Sequence, residues 1–209
     1  MSIRDEYNAL AKKYDHRYHK YNKTTNQHII EALEQYFTQG IENFKILDVG
    51  CGTGELLKQL ALYYPNNSYT GIDLSAGMLT VARQKLHQDI KLYQSSLSWT
   101  DLSNQQFDLV ITNSVFHFVT DKSLFLNECK RVLKPNGYLL INDWNRDYLF
   151  ISFYDWYLNT IKKSYSQSLG SNELTSTLAK NNFVSQSSSR YRIGLSWGMF
   201  TLLSQLKSI

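Results

Sequence analysis

Residues 46–57 read ILDVGCGTGELL, an apolar segment followed by a turn that carries three glycines in five positions. The apolar residues before the glycines form a short run typical of a buried strand, and the leucines after them recur at helical spacing. This order predicts a strand, a glycine turn and a helix. Glycine permits a sharp turn and a close approach of the backbone to a ligand, which the first amides of the helix can bind. A tight turn without a ligand is the alternative explanation for this segment alone.

The alternation of strands and helices continues along the chain. Strands are predicted at residues 69–73, 90–93, 109–112 and 138–142, and helices at residues 76–86, 122–133 and 171–180. This alternation is typical of a parallel sheet covered by helices. Two more strands are predicted near the end of the chain, at residues 183–193 and 199–206, and the short link between them favours an antiparallel pair that closes the sheet.

Two helices are predicted before the first strand. Tyrosines at positions 7, 14, 18 and 21 recur at helical steps over residues 5–21, and apolar residues do so over residues 27–37, where Gly40 can end the second helix. We expect residues 1–40 to form a helical arm of the same domain as residues 41–209, with its tyrosines closing over a ligand as a lid. Packing of these tyrosines against the core is the alternative.

The composition is typical of one globular domain. The chain has 209 residues, of which 43% are hydrophobic and 19% charged. The formal net charge is +4 and the 22 lysines and arginines are scattered, so the sequence has no polybasic segment that would favour nucleic acid or anionic lipid. No apolar run approaches the roughly 20 residues that span a bilayer, and we expect a cytoplasmic protein.

The two cysteines do not form a recognisable site. Cys51 and Cys129 are far apart in sequence and neither has a second ligand at metal-binding spacing. We therefore expect no metal and no disulfide framework, which fits a reducing compartment.

Asp73 ends the second predicted strand, 23 positions after Gly50. A carboxylate at this point can accept hydrogen bonds from both hydroxyls of a ribose. Ser75 is the expected cap of the next helix, so we expect Asp73 to serve the ligand rather than stability. Taken alone, Asp73 is better explained as a turn residue; together with the glycine turn it favours a nucleoside cofactor.

Four segments together resemble the class I S-adenosylmethionine-dependent methyltransferases in order and spacing. They are LDVGCGTG at 47–54, GIDLS at 71–75, FDLV at 107–110 and RVLKPNGYLL at 131–140. The resemblance implies a Rossmann-like α/β three-layer sandwich, with a seven-stranded, mostly parallel sheet whose last strand is antiparallel. It also implies methyl transfer from S-adenosylmethionine, which leaves S-adenosylhomocysteine.

The resemblance also implies which residues contact the cofactor. Asp48 and the glycine turn are expected near its methionyl part, Asp73 on the ribose, and Leu74 and Met78 beside the adenine. Relatives often have an acidic residue facing the adenine amino group, where this chain has Ser96 and Leu97. The expected cofactor contacts are Tyr14, Asp48, Gly50, Cys51, Gly52, Gly54, Asp73, Leu74, Met78, Ser96, Leu97 and Asn113.

Methyl transfer depends mainly on alignment, and it needs a general base only if the acceptor must lose a proton. His117 and Asp143 follow the fourth and fifth predicted strands, at the edge where α/β sheets bind ligands, and are the candidate bases. A hydrogen-bonded wall histidine and a carboxylate that holds a loop are the alternatives. The aromatic-rich segment 144–157 suggests a small apolar or planar acceptor, a core segment or a dimer contact.

Two other functions fit the sequence less well. A binding module that kept the fold but lost turnover retains every motif above. A nicotinamide-dependent oxidoreductase also has an acidic residue after a glycine turn, but its Gly-x-Gly-x-x-Gly pattern requires glycine at the position of Glu55.

Overall fold

A seven-stranded sheet forms the centre of the molecule in the computed structural model, which describes residues 2–96, 99, 102–161 and 167–207. The strands are β1 (Lys45–Val49), β2 (Ser68–Asp73), β3 (Lys91–Gln94), β4 (Phe107–Asn113), β5 (Leu133–Trp144), β6 (Phe183–Ile193) and β7 (Trp197–Leu206). Their order is β3-β2-β1-β4-β5-β7-β6. Neighbours from β3 to β5 are parallel, and β7 is antiparallel to both β5 and β6. The predicted sheet is confirmed.

Helices cover both faces of the sheet. They are α1 (Ile3–Tyr36), α2 (Glu55–Tyr63), α3 (Ala76–Lys85), α4 (Lys122–Val132), α5 (Leu149–Ile161) and α6 (Ser171–Lys180), with a 3-10 turn at Phe116–Phe118. Alternating strand residues divide the core, since Ile46 packs with α1, α2 and α3, whereas Leu47 packs with α4 and α6. Three layers follow from this alternation.

The amino-terminal region differs from the prediction of two separate helices. It is one helix of 34 residues, interrupted only at Tyr18, whose backbone (φ −108°, ψ 17°) kinks it. The expected break near residues 22–26 is absent because Thr25 and Asn26 are buried against β4 and hydrogen-bond to Asn113. Ile29 and Leu33 belong to the core, so the half of α1 after the kink is a structural layer.

Strand β5 is longer than predicted and contains Asp143, which was expected just beyond its end. Asp143 pairs with Phe200 of β7. The antiparallel partner extends β5, because Phe200 and Met199 of β7 pair with Asp143 and Trp144. Among the described residues, none of the helices combines the length and apolarity needed to cross a bilayer.

Candidate active site

A cavity of about 400 Å³ lies at the carboxyl ends of β1, β2 and β4, under the first turns of α1. Its wall is largely apolar and includes Ile72, Met78, Trp99 and Phe125. A polar pocket of about 50 Å³ adjoins it, with Asp48 in its lining. The residues that line both spaces are Tyr14, Gly50, Gly52, Asn113 and Ser114. The site is therefore a large apolar compartment joined to a small polar one.

The glycine turn forms the floor at this junction. Gly50, Gly52 and Gly54 all have positive φ, between 53° and 79°, which favours glycine. A Cβ atom on Gly50 would lie 2.3 Å from the Val115 side chain, whereas one on Gly52 would have no described atom within 4 Å. Gly50 is thus required by packing and backbone conformation, and Gly52 leaves its backbone open to the site.

Asp73 connects the glycine turn to the start of α3. Its Oδ2 accepts a hydrogen bond from the Gly52 amide at 2.8 Å, and its Oδ1 accepts one from the Ser75 amide at 2.7 Å. Burial raises the pKa of Asp73, against these two hydrogen bonds, which lower it. The Ser75 hydroxyl accepts from the Met78 amide, as expected for a cap. Asp73 therefore holds two backbone segments besides lining the cavity, which gives it contacts that can stabilise the fold, and its role on the ribose stays a prediction.

Asp48 is almost completely buried beside the polar pocket, with 2% of its surface exposed. No described residue donates a hydrogen bond to its carboxylate. Burial raises the pKa of Asp48 to about 8, and the neighbouring charge of Asp73 adds to the effect. A bound ammonium group would counteract both effects, because its positive charge favours the ionised carboxylate. The pocket therefore suits a cationic ligand group. Cys51 is also buried and lines the same pocket.

The apolar compartment is closed by residues from several elements. Leu74, Met78 and Ser96, three of the expected cofactor contacts, line it, and Leu97 lies outside the described residues. Ile3 and Arg4, in the first turn of α1, also line it. Nothing in their local sequence indicated this, because their position depends on how α1 crosses the sheet.

The half of α1 before the kink lies over the site and is held mainly by polar contacts. Asn8 accepts hydrogen bonds from the Ser75 hydroxyl at 2.7 Å and from the Gly77 amide at 2.9 Å. Asp15 accepts one from Thr53 at 2.5 Å and forms an ion pair with Lys85 at 2.6 Å. We call residues 3–17 the lid segment.

Tyr14 is the lid-segment residue that lines both compartments. Its ring packs on Tyr18 with centroids 4.9 Å apart, and Tyr7 contacts Phe118 edge-on at 6.0 Å. Burial raises the pKa of Tyr14 above its usual range, so its hydroxyl is a neutral hydrogen-bonding group. The tyrosine stripe thus packs partly on itself and partly over the cavity.

Asn113 lines the site, but its amide is used within the protein. Its Nδ2 donates to Thr25 and Asn26 of α1, and its Oδ1 accepts from Asn142 at 2.8 Å. The expected cofactor contact is therefore not available to either amide N–H in this arrangement. Asn113 instead joins α1 to β4 and β5.

Ser114 is a site residue that the sequence did not indicate. Ser114 follows β4 with a positive φ of 59° and lines both compartments. Its hydroxyl lies 2.7 Å from that of Tyr21, which also accepts a hydrogen bond from Trp144 at 3.0 Å. A non-glycine residue with positive φ is the signal that could have found Ser114, since such strain clusters at functional sites, but it is visible only in the backbone.

His117 and Asp143 are brought together, but behind the wall of the cavity. His117 Nδ1 lies 2.5 Å from Asp143 Oδ1, and each residue is 2% exposed. The amides of His117 and Trp144 donate to the same carboxylate, and the imidazole stacks on Trp144 with centroids 3.7 Å apart. Neither residue is among the described residues that line the cavity. The geometry supports a wall histidine, and the base role stays a prediction.

Comparisons with known proteins find methyltransferases. Residues 47–141 match the methyltransferase domain family. The malonyl-[acyl-carrier protein] O-methyltransferase of Priestia megaterium is 31% identical over 142 residues, which cover 67% of this chain and 50% of that protein. The 2-phytyl-1,4-naphtoquinone methyltransferase of Nostoc is 31% identical over 158 residues, 71% of this chain and 66% of that protein. The chain spans about half the length of the first curated relatives it matches.

A solved structure matches nearly the whole chain. It comes from the complex between the Haloferax volcanii Trm112 methyltransferase activator and its proposed methyltransferase, with a TM-score of 0.81. The match covers 99% of this chain and 100% of that one, at 16% sequence identity. An identity this low establishes the shared fold alone.

Proposed function

The chain belongs to the class I S-adenosylmethionine-dependent methyltransferases. From this we propose that it transfers a methyl group from S-adenosylmethionine to a small, apolar or aromatic acceptor. The observation that carries the proposal is the pair of joined compartments, each lined by an aspartate, which is half-buried in the apolar compartment and buried in the polar one. Asp73 faces the apolar compartment and Asp48 the polar one.

The residues of the site suit the parts of this cofactor. The apolar compartment, with Ile72, Leu74 and Met78, suits an adenine ring, and the carboxylate oxygens of Asp73 have lone pairs left for ribose hydroxyls. Asp48, with its raised pKa and no described donor, suits the ammonium of the methionyl part. When bound, the cofactor supplies a methyl group on a positively charged sulfur.

This chain's own residues would orient the reactants and exclude water. Tyr14 and Ser114 lie where the two compartments meet, so they would border the reacting groups. The lid segment covers the site, and its polar contacts to α3 and to the glycine turn hold it closed. Alignment is the main requirement of an in-line displacement, and closure of this kind supplies it.

An apolar or planar acceptor is supported by the aromatic rings next to the site. Trp144 contacts Tyr154 at 5.8 Å and Trp197 at 5.1 Å between centroids, and its indole N–H donates to Tyr21. Quinone methyltransferases are among the relatives by name, as are carrier-protein methyltransferases. We propose the former kind of acceptor, because the rings of Tyr154 and Trp197 pack around Trp144.

The proposal is tested by incubating the protein with methyl-tritiated S-adenosylmethionine and short-chain hydroquinones, then counting the organic extract. We expect label in the extract that depends on both protein and hydroquinone. A protein that binds S-adenosylhomocysteine but labels no acceptor in a broad panel would favour the binding module instead. Binding of NADH rather than S-adenosylhomocysteine would favour the oxidoreductase.

A further inference from the structure

Helix α5 exposes more large apolar side chains than it buries. Its buried side consists of Ile151, Asp155 and Leu158. The large apolar side chains on its solvent side are Leu149 (90% exposed), Phe150 (41%), Phe153 (64%), Trp156 (61%), Tyr157 (45%) and Ile161 (55%). A surface helix normally turns its apolar face to the core, whereas α5 turns most of its large apolar side chains to solvent.

The tip of the β6–β7 hairpin extends this surface. Leu195, in the tip, is 95% exposed. Trp197, at the start of β7, lies 5.5 Å from Phe150 and 5.2 Å from Tyr154 between ring centroids, which joins the hairpin to the helix. We call the six exposed α5 residues together with Leu195 the apolar patch.

The patch is at the upper end of the size range that soluble monomers expose. Its four aromatic side chains each offer roughly 150–250 Å² and keep about half in water, which amounts to roughly 400 Å². The three aliphatic residues bring the patch to the upper end of the roughly 300–600 Å² seen on typical monomers. A patch of this kind marks an interaction surface.

The charged residues beside the patch carry a small basic excess. Asp155, the one charged residue in the sequence of α5, is buried and bonded to Ser168. Three arginines, Arg146, Arg190 and Arg192, lie beside the patch. Glu173 pairs with Arg146, and Asp147 pairs with Arg190. The third, Arg192, is exposed and stacks over Tyr148 at 5.0 Å. These arginines are scattered in the sequence, but β6 and the segment just before α5 bring them together.

We propose that the apolar patch docks on an anionic phospholipid bilayer. Tryptophan and tyrosine favour the interface between headgroups and acyl chains, because one end of each ring is apolar and the other polar. Arginines at the edge of such a surface interact with lipid phosphates. An acidic protein partner would match the arginines but not the uncharged aromatic centre of the patch.

The patch is also connected to the site. The rings of Phe150, Trp197 and Trp144 follow one another at 5.5 and 5.1 Å, and Trp144 donates to Tyr21, the partner of Ser114. If the acceptor is lipid-soluble, a step that rests on the proposed function, docking would bring this aromatic path to the membrane.

Co-sedimentation with vesicles tests the docking without any methyl transfer. We expect the protein to sediment with phosphatidylcholine vesicles that contain phosphatidylglycerol, and much less with pure phosphatidylcholine. The double variant Phe153→Ser, Trp156→Ser should bind at least about tenfold more weakly, because each ring loses its burial in lipid. Arg192→Glu should weaken binding to the anionic vesicles alone.

The matched control is Leu62→Ser, Tyr63→Ser, on the exposed side of α2, where these residues are 73% and 55% exposed. This variant should bind vesicles like the unmodified protein, and all variants should keep their melting temperature and S-adenosylhomocysteine binding. Equal loss of vesicle binding in both double variants would overturn the proposal. So would a dimer in gel filtration that only the α5 variant dissociates, because the patch would then bind a second copy.

Discussion

At the scale of single residues, Asp73 combines two roles that a substitution can separate. It accepts hydrogen bonds from Gly52 and Ser75, and it lines the cavity. Asp73→Ala should weaken S-adenosylhomocysteine binding by roughly ten- to a hundredfold, since charged hydrogen bonds contribute about 1.5–3 kcal/mol. It should also lower the melting temperature, because two backbone amides lose their acceptor.

Asp73→Asn keeps one acceptor oxygen. Its affinity for S-adenosylhomocysteine in calorimetry and its melting temperature should both fall between those of the unmodified protein and Asp73→Ala. Asp89→Ala, at an exposed carboxylate, is the control. Normal binding by Asp73→Ala together with a lower melting temperature would make Asp73 a turn residue only.

Asp48 has a pKa raised to about 8, which links protonation to stability. A carboxyl whose pKa is higher in the folded than in the unfolded state stabilises the fold fully below the unfolded value, near 3.8. That stability is lost as the pH rises towards 8. Asp48→Asn should therefore raise the melting temperature of the ligand-free protein at pH 8 and change it little at pH 4.

The same variant should bind S-adenosylhomocysteine more weakly, because it lacks the anion that suits the ammonium. Opposite effects on stability and affinity are the signature of a functional carboxylate. If Asp48→Asn destabilised the protein at pH 8, the carboxylate would have a structural partner.

His117 and Asp143 form a buried pair whose disruption should cost stability. His117→Ala would leave the Asp143 carboxylate with its two main-chain donors alone, and removing one partner of a buried pair costs about 3–5 kcal/mol. We expect a lower free energy of unfolding in urea, with partial rescue by His117→Gln. Unchanged stability with lost turnover would favour the base role instead.

At the scale of elements, the kink at Tyr18 divides α1 into a lid segment and a core helix. The core half contributes Ile29, Ile30 and Leu33, and Tyr21 bonds to Ser114 and Trp144. Removal of residues 1–17 should leave cooperative unfolding intact and weaken S-adenosylhomocysteine binding, because Tyr14 and the Asn8 contacts are lost. Removal as far as residue 22 should cost more stability, since it also removes Tyr21.

Thermal unfolding followed by calorimetry distinguishes the two truncations. Lys85→Met is a milder test of the lid, because it removes the ion pairs to Asp15 and Glu55 without shortening the chain. Loss of cooperative unfolding on removal of residues 1–17 would make the tyrosine stripe part of the core.

At the scale of the whole molecule, ligand binding should stabilise the fold as a unit. The site draws on α1, β1, β2 and β4, so its occupation links both faces of the sheet. A ligand that binds only the folded state at 100 times its Kd adds about 2.7 kcal/mol. S-adenosylhomocysteine should raise the melting temperature in a concentration-dependent way, and NADH should not. Stabilisation by NADH would contradict the cofactor assignment.

Local sequence patterns were sufficient to predict the sheet, the glycine turn and the helix cap at Ser75. Periodicity, positive φ and capping each depend on a few neighbouring residues, so the strands β1 to β4 and the helices α2 to α4 could be predicted from the sequence. The same reasoning located the cavity, because parallel strands end at one edge of the sheet. It failed at the break in α1, where buried Thr25 and Asn26 find their partner 88 and 87 residues away.

Contacts between distant segments decided the rest. Asn113 and His117 carry polar groups that suit a ligand, yet their partners are Asn26 and Asp143, which only the packing of α1 and β5 brings to them. The aromatic residues of α5 were compatible with core, interface or substrate wall, since their spacing is the same in each case. Which side of the helix meets the sheet is set by burial of Ile151 and Leu158 and by the Asp155–Ser168 hydrogen bond. Side-chain type is local, but exposure and partnership are properties of the whole fold.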